Sequence, residues 1–391
     1  MKLPFLISSK LNLCAKEVVV LLQNHIISLG YTPVIHFELE GCYQQKKTSP
    51  EHRIDFTLIN QHLRRLKIDG EVIPEYWQQQ WEYVSLFNGQ LPIKEADNLT
   101  AAIFHLPKLL AEQGIGQTFI KPVVWAGDKG KLAVGCDNVF SGEARDVHIP
   151  NAIQMNVSVN NANGENIIIQ SSFGEYLQQC FIETSLGCSL LYLPEEEAFE
   201  RFALKDKYGL AAELCSPTDI SGGHQGSIAL YKEKGKHNQA MGEKALLYDQ
   251  NNKVLLSENH WHKTARIEHR LGASSIYYNA YLNVTFALLN IIDALRALND
   301  EQCQSMLLAA TDITPLPESL KSSKETLGAI ELFEQEQWFA NSINRVEMLL
   351  KQQANELDSV QKQVHVQAEK LGDKLKNLIL EPYQTQAIIV E

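Results

Sequence analysis

Apolar and polar positions change period several times along the chain. Residues 12–29 (NLCAKEVVVLLQNHIISL) place apolar side chains all round a helical wheel and stop at Gly30, which predicts a largely buried opening helix. The next segment switches to a period of two. In Thr32–Gly41 the alternation puts Val34, His36, Glu38 and Glu40 on one strand face and Ile35, Phe37 and Leu39 on the other. Residues 46–70 are polar and basic before a short amphipathic piece, and 72–86 (VIPEYWQQQWEYVSL) is aromatic-rich with Pro74 near its start, the mark of a loop entering a strand.

A second helix is expected over 98–113, opened by Asp97-Asn98, disturbed at Pro107 and ended by Gly114, followed by a strand at 117–125 (QTFIKPVVW). Residues 126–150 read as a Gly/Asp-rich loop, 152–159 (AIQMNVSV) as a strand, NNANGEN as a turn, and 172–183 as the start of a helix. Residues 190–260 show no clear period. Beyond them, 264–270 (TARIEHR) predicts a strand, 278–298 a mostly buried helix, and 335–380 a long helical region. In that region Phe339, Ile343, Val346, Leu350, Leu357, Val360, Val364, Leu371, Leu375 and Leu378 recur at spacings of three, four or seven, as helices packed on a core or on a partner do. No internal repeat of 20–50 residues is visible.

Composition narrows the class. The 391 residues are 45% hydrophobic and 21% charged, ordinary globular usage, which excludes disordered and fibrous chains. The net charge of −12 has the wrong sign for a phosphate-backbone binder, so no nucleic-acid partner is expected. Seven scattered cysteines, never CxxC, fit neither a disulfide framework nor a zinc site and suit a reducing cytoplasm. The start MKLPFLISSKLNLC lacks a leader's apolar core, and the longest apolar stretch, Val284 to Leu298, is interrupted by Thr285, Asn290, Asp293 and Arg296, so a soluble chain without membrane partners is expected.

Three acidic motifs stand out. Glu38 and Glu40 share a strand face, Glu75 and Glu82 lie seven apart among aromatics, and Arg266, Glu268 and Arg270 alternate on one face of a strand. Singly, each is what a solvated face or a ladder of surface ion pairs would give. Together they supply what a nucleoside triphosphate site requires: hard oxygen ligands for Mg²⁺ or Mn²⁺ and arginines to neutralise a transferring phosphoryl group. Five carboxylates on one site also repel one another unless cations lie among them. There is no GxxxxGK[ST], no GxGxxG after a strand, no Gly-x-Ser-x-Gly elbow and no Cys–His protease signature. The run Gly222-Gly223-His224-Gln225-Gly226-Ser227 is either a phosphate cradle or a plain loop.

In order and spacing, these segments resemble the catalytic domain of the glutamine synthetase superfamily. That family's pattern is a strand with Glu-x-Glu, two Glu seven apart, a Met-His-Val strand, and Arg-x-Glu-x-Arg followed by Asn-Pro-Tyr. Its counterparts here are Glu38-Leu-Glu40, Glu75 with Glu82, Met155-Asn156-Val157, Arg266-Ile-Glu268-His-Arg270 and Asn279-Ala-Tyr281, and the likeness covers roughly residues 15–300, discontinuously. It implies an α+β fold in which a curved antiparallel sheet backed by helices forms a catalytic domain over 1–310, with a helical C-terminal region at 311–391. It also implies an ATP- and Mg²⁺- or Mn²⁺-dependent carboxylate–amine ligase, acting on glutamate or a similar carboxylate and an amine, in a cytoplasmic homo-oligomer. By the same resemblance Glu40, Glu75 and Glu82 would hold the metal nearer the acid and amine, and Glu38, Glu268 and Asn156 the metal nearer the ATP phosphates. Arg266 and Arg270 would meet the nucleotide, and Arg270 and Glu82 are the candidate catalytic residues.

The sequence departs from that pattern at several points. Asn156 stands where the family has a metal-ligating His, and neither His148 nor His224 is assigned to replace it. By the same resemblance, the sequence is expected to start almost at the catalytic domain, with no counterpart of the family's N-terminal β-grasp domain in it. No Asn-Arg-Ser stretch occurs in 200–260, although Arg201, Lys205, Lys207, Lys232, Lys234 and Lys236 bring positive charge. A nucleotide-binding pseudoenzyme and a related phosphotransferase are the alternatives to the ligase.

Overall fold

The computed structural model describes residues 9–45, 54–75, 79–126, 147–170, 172–207, 228–232, 250, 264–302, 316–357 and 370–384. Its centre is a seven-stranded antiparallel sheet in the order β2-β3-β1-β7-β9-β8, with β4 also paired to β1. The strands are β1 (Thr32–Gln45), β2 (Gly70–Pro74), β3 (Gln80–Ser85), β4 (Ile115–Phe119), β7 (Ile153–Asn160), β8 (Ile228–Tyr231) and β9 (Arg266–His269). A separate hairpin joins β5 (Val123–Ala126) and β6 (Val147–Pro150). The expected α+β class with an antiparallel sheet is what the chain adopts.

The alternation in the sequence sorts the two sheet faces. Ile35, Phe37 and Leu39 of β1, Trp81 and Tyr83 of β3, Ile153, Met155, Val157 and Val159 of β7, and Ile267 of β9 are all buried in one hydrophobic cluster. Helices α1 (Ser9–Ser28), α3 (Pro92–Glu112), α4 (Phe173–Ser185) and α7 (Ala280–Asn299) supply much of the remainder of that cluster. The ladder from β1 to β3 is tight: at Gly41, opposite Trp81, a Cβ would come within 2.3 Å of the indole ring. α1 ends as its sequence predicts, with Gly30 in the left-handed region at φ +87°.

α7 is apolar all round because it is surrounded. It is the one described helix long and apolar enough to cross a membrane, yet 83% of that apolar window is buried inside the protein. Asn279 caps it, its side chain accepting from the amides of Tyr281 (3.1 Å) and Leu282 (3.3 Å).

Several boundaries differ from expectation. The helix expected from residue 98 starts at Pro92, because a proline is pre-set for the first helical position and lacks only an amide that would have no partner there. The single strand expected at 117–125 is two, β4 and β5, broken at Lys121-Pro122. The loop expected at 126–150 is bounded by the β5–β6 pairing, whose interior lies outside the described residues. Helices α2 (Phe56–Arg65), α5 (Ser189–Tyr192) and α6 (Glu197–Lys207) complete the N-terminal portion. The predicted run at 335–380 is divided among α8 (Ala329–Gln335), α9 (Trp338–Leu357) and α10 (Leu371–Gln384).

These last helices share the core of the sheet's helices: Phe333, Phe339, Ile343, Val346, Leu375 and Ile379 belong to the same cluster as α1 and α7. The boundary expected at 310/311 lies outside the described residues. One polar clasp fastens α9 to α7, where Asp293 accepts from Trp338 Nε1 (2.6 Å) and Arg345 (3.0 Å). The Trp338 ring meets Phe286 edge-on at 6.1 Å, and Phe286 meets His269 of β9 at 5.7 Å.

Candidate active site

The sheet face turned away from the core carries most of the singled-out polar residues. Pairing places Glu40 opposite Glu82, Glu38 opposite Gln154, and Asn156 opposite Glu268. Residues directly opposite in an antiparallel ladder point to the same side, so Glu82, Glu40, Glu38, Gln154, Asn156 and Glu268 run across four adjacent strands on one face. Arg266 and Arg270 lie two residues either side of Glu268 and share its side. Glu75 continues β2, its amide donating to the Gln80 carbonyl at 3.2 Å, and by period it shares the side of Ile73, which pairs with Glu82.

At the β1 end, Glu40 is fixed from β7: one carboxylate oxygen accepts the Ala152 amide at 2.7 Å and the other the Gln154 amide nitrogen at 3.4 Å. The Glu40 carbonyl accepts from Ser274 Oγ (2.6 Å), tying the segment after β9 to this strand. Gly272 permits that approach, since a Cβ there would lie 2.5 Å from the Ile153 carbonyl oxygen.

At the β9 end, Asn156 Nδ2 donates to Glu38 (3.0 Å) while Asn156 Oδ1 accepts from Arg266 Nε (2.6 Å). The other end of the guanidinium donates to Glu268 Oε2 at 2.9 Å. Glu268 Oε1 lies 3.6 Å from the Arg270 guanidinium and accepts from Tyr231 Oη at 3.4 Å. The Glu268 side chain has no solvent exposure, while those of Arg266 and Arg270 retain 19% and 10%. Tyr231 also lies under Arg266, ring centroid 4.5 Å from the guanidinium carbon.

Arg201, reaching in from α6, is a participant that periodicity does not reveal. Its guanidinium donates to the carbonyls of Arg270 (3.2 Å) and Leu271 (3.4 Å), and its Nε is buried without a hydrogen-bond partner. Burial pulls its pKa down to about 10, opposed by the nearby Glu40 carboxylate. Gln154 was within reach of the sequence, standing two residues before Asn156 in the same alternation; Tyr231, in the aperiodic middle third, had no such signal. Asn279, part of the family-like Asn-Ala-Tyr, is engaged in helix capping and in a bond to Asn12 (2.8 Å). The side chains of His148 and His224 and the Gly222–Ser227 run lie outside the described residues.

Among the described residues, no three His, Cys, Asp or Glu side chains gather closely enough to form a metal-binding group. The donor chemistry differs between the two ends. Glu40 and Glu82, opposite one another on neighbouring strands, are hard oxygen donors of the kind Mg²⁺ and Mn²⁺ take. Between Glu38, Asn156 and Glu268, by contrast, the Asn156 oxygen and one Glu268 oxygen are already held by Arg266.

Comparison with known proteins bears on the fold. No protein-family profile matches the chain, and no curated protein matches it by sequence. Solved structures do match. One described as a novel glutamine synthase homologue aligns with a TM-score of 0.52 at 12% identity, covering 94% of this chain and 75% of the other. GmaS without ligand aligns at 0.54 and 11% identity over 89% of this chain, and a GmaS/ADP complex at 0.54 and 10% identity over 96%, each covering 75% of the matched chain. The chain therefore has a glutamine synthetase-like fold.

Proposed function

We propose that this chain is an ATP- and divalent-metal-dependent ligase that activates a carboxylate, that of glutamate or a similar acid, and joins it to an amine. The observation that carries this is the single sheet face on which Glu82, Glu40, Glu38, Asn156, Glu268, Arg266 and Arg270 are aligned in register. Its likeness in fold to a protein solved with ADP supports a nucleotide as ligand.

In this reaction an oxygen of the acid's carboxylate attacks the γ-phosphorus of ATP, ADP leaves, and an acyl phosphate forms. The amine nitrogen then attacks the acyl carbon, phosphate leaves, and an amide remains. Arg270 is the residue to meet the transferring phosphoryl group, its main chain held from behind by Arg201. Glu40, Glu82 and Glu75 would hold a divalent ion, which supplies charge neutralisation at the reacting oxygens. Glu82, opposite Glu40, would accept the proton lost by the attacking amine.

The test is phosphate release from ATP with Mg²⁺ or Mn²⁺, glutamate and a panel of amines, with product mass read in parallel. Release that requires both acid and amine, with an amide of the matching mass, is the expected result. Nucleotide binding without turnover across the panel favours the second reading, a nucleotide-binding pseudoenzyme, which the engagement of Glu268 by both Arg266 and Arg270 supports. Absence of nucleotide binding overturns both.

A further inference from the structure

The bonds around Asn156 form a continuous chain across three strands: Glu38 on β1, Asn156 on β7, then Arg266 and Glu268 on β9. The amide of Asn156 is used at both ends, its nitrogen by Glu38 (3.0 Å) and its oxygen by Arg266 (2.6 Å). Arg266 spans from that oxygen to Glu268 Oε2 (2.9 Å) and is backed by the Tyr231 ring. The charges of the named side chains cancel, Glu38 and Glu268 against Arg266 and Arg270.

A divalent ion at this place would need the same oxygens, at 2.0–2.6 Å. It would then lie within a few ångströms of the Arg266 guanidinium, and the two cations would repel strongly in so buried a spot. Removing Arg266 to admit the ion would cost its bonds to Asn156 and Glu268 and its stack on Tyr231. A neutral amide also brings a divalent ion no compensating charge, which a carboxylate would.

We propose that the Arg266 guanidinium takes the place of a divalent cation between Glu38, Asn156 and Glu268, so that this pocket holds a cation that belongs to the chain and recruits no metal of its own. The proposal rests on taking this face as a nucleotide and metal face, and its test requires no turnover. Nucleotide phosphates entering here would meet the outward edge of a guanidinium that no chelator can remove.

The experiment is Mn²⁺ binding to the full chain without nucleotide, followed by equilibrium dialysis and electron paramagnetic resonance. At saturating Mn²⁺ the wild-type protein is expected to show no spin-coupled Mn²⁺ pair, and Glu268→Gln is expected to leave the ion count unchanged. The double variant Arg266→Gln, Asn156→His, checked for folding by circular dichroism, is expected to bind one more Mn²⁺ per chain than wild type. A coupled pair in wild type, loss of an ion in Glu268→Gln, or a folded double variant with the wild-type count would each overturn the proposal. Should the double variant not fold, the wild-type spectrum decides. A failure of ligase activity leaves these counts unaffected, so the two proposals fail separately.

Discussion

His269 shows how one residue can tie the stability of the site to pH. It lies on β9 between Glu268 and Arg270, yet points the other way, into Phe181, Tyr192 and Phe286, with Ser185 Oγ 3.2 Å from its Nε2. Burial drives its pKa down from 6.5 to about 3. Between those values the unfolded chain binds the proton and the folded one does not, so stability falls as pH drops from 6.5 toward 3, by up to roughly 5 kcal/mol. His269→Gln, which keeps a partner for Ser185, is expected to flatten the fall in urea-unfolding free energy between pH 6.5 and 4 relative to wild type. An identical slope in the two proteins would show that other groups govern the acid sensitivity. The neighbouring glutamate illustrates what the sequence made legible: period-two alternation alone separates Glu268 from His269, and Glu38 and Glu40 from Phe37 and Leu39. Arg201 was not legible at this scale, because its link to Arg270 joins a helix to a strand end 69 residues away and leaves no local pattern.

At the scale of elements, strand periodicity located β1, β7 and β9 to within a few residues, since each has one face against the core. The short β5–β6 hairpin was not legible, as its two strands are separated by residues with no alternation of their own. The start of α3 was misplaced because Asp97-Asn98 looks like a cap, whereas Pro92 and the buried Glu95, which accepts from Ser85 Oγ at 2.7 Å, open the helix earlier. The contact between the segment after β9 and β7 makes a specific demand on one residue. Gly272→Ala would push a methyl against the Ile153 carbonyl, and the Gly272 carbonyl itself accepts the Ile153 amide at 3.0 Å. A loss of about 1–3 kcal/mol in urea unfolding is expected. An unchanged midpoint would mean that the segment moves aside at no cost, and that it does not hold Ser274 and Arg270 in place.

Across the whole molecule, the helices at 329–384 close the same hydrophobic core that the sheet opens, through Phe333, Phe339, Ile343, Leu375 and Ile379. Their heptad-like spacing was legible in the sequence, but not what they would cover, because a helical stripe suits an intramolecular core and a partner's groove equally. The shared core predicts cooperative unfolding. Leu375→Ala is expected to cost about 2–5 kcal/mol and to lower a single transition seen alike by circular dichroism and fluorescence. Two separated transitions would instead mark the C-terminal helices as a unit that melts by itself.

The stack from Trp338 through Phe286 to His269 has an optical consequence. The indole whose N–H is held by Asp293 at 2.6 Å is linked through packed rings to the strand that carries Arg266 and Glu268 on its other side. Were a ligand on the outer face to rotate β9, the change is expected to reach Phe286 and the surroundings of that indole. Trp338 emission, isolated by subtracting the spectrum of Trp338→Phe, is therefore expected to change when nucleotide is added, and an unchanged difference spectrum would show that the two faces of β9 are uncoupled.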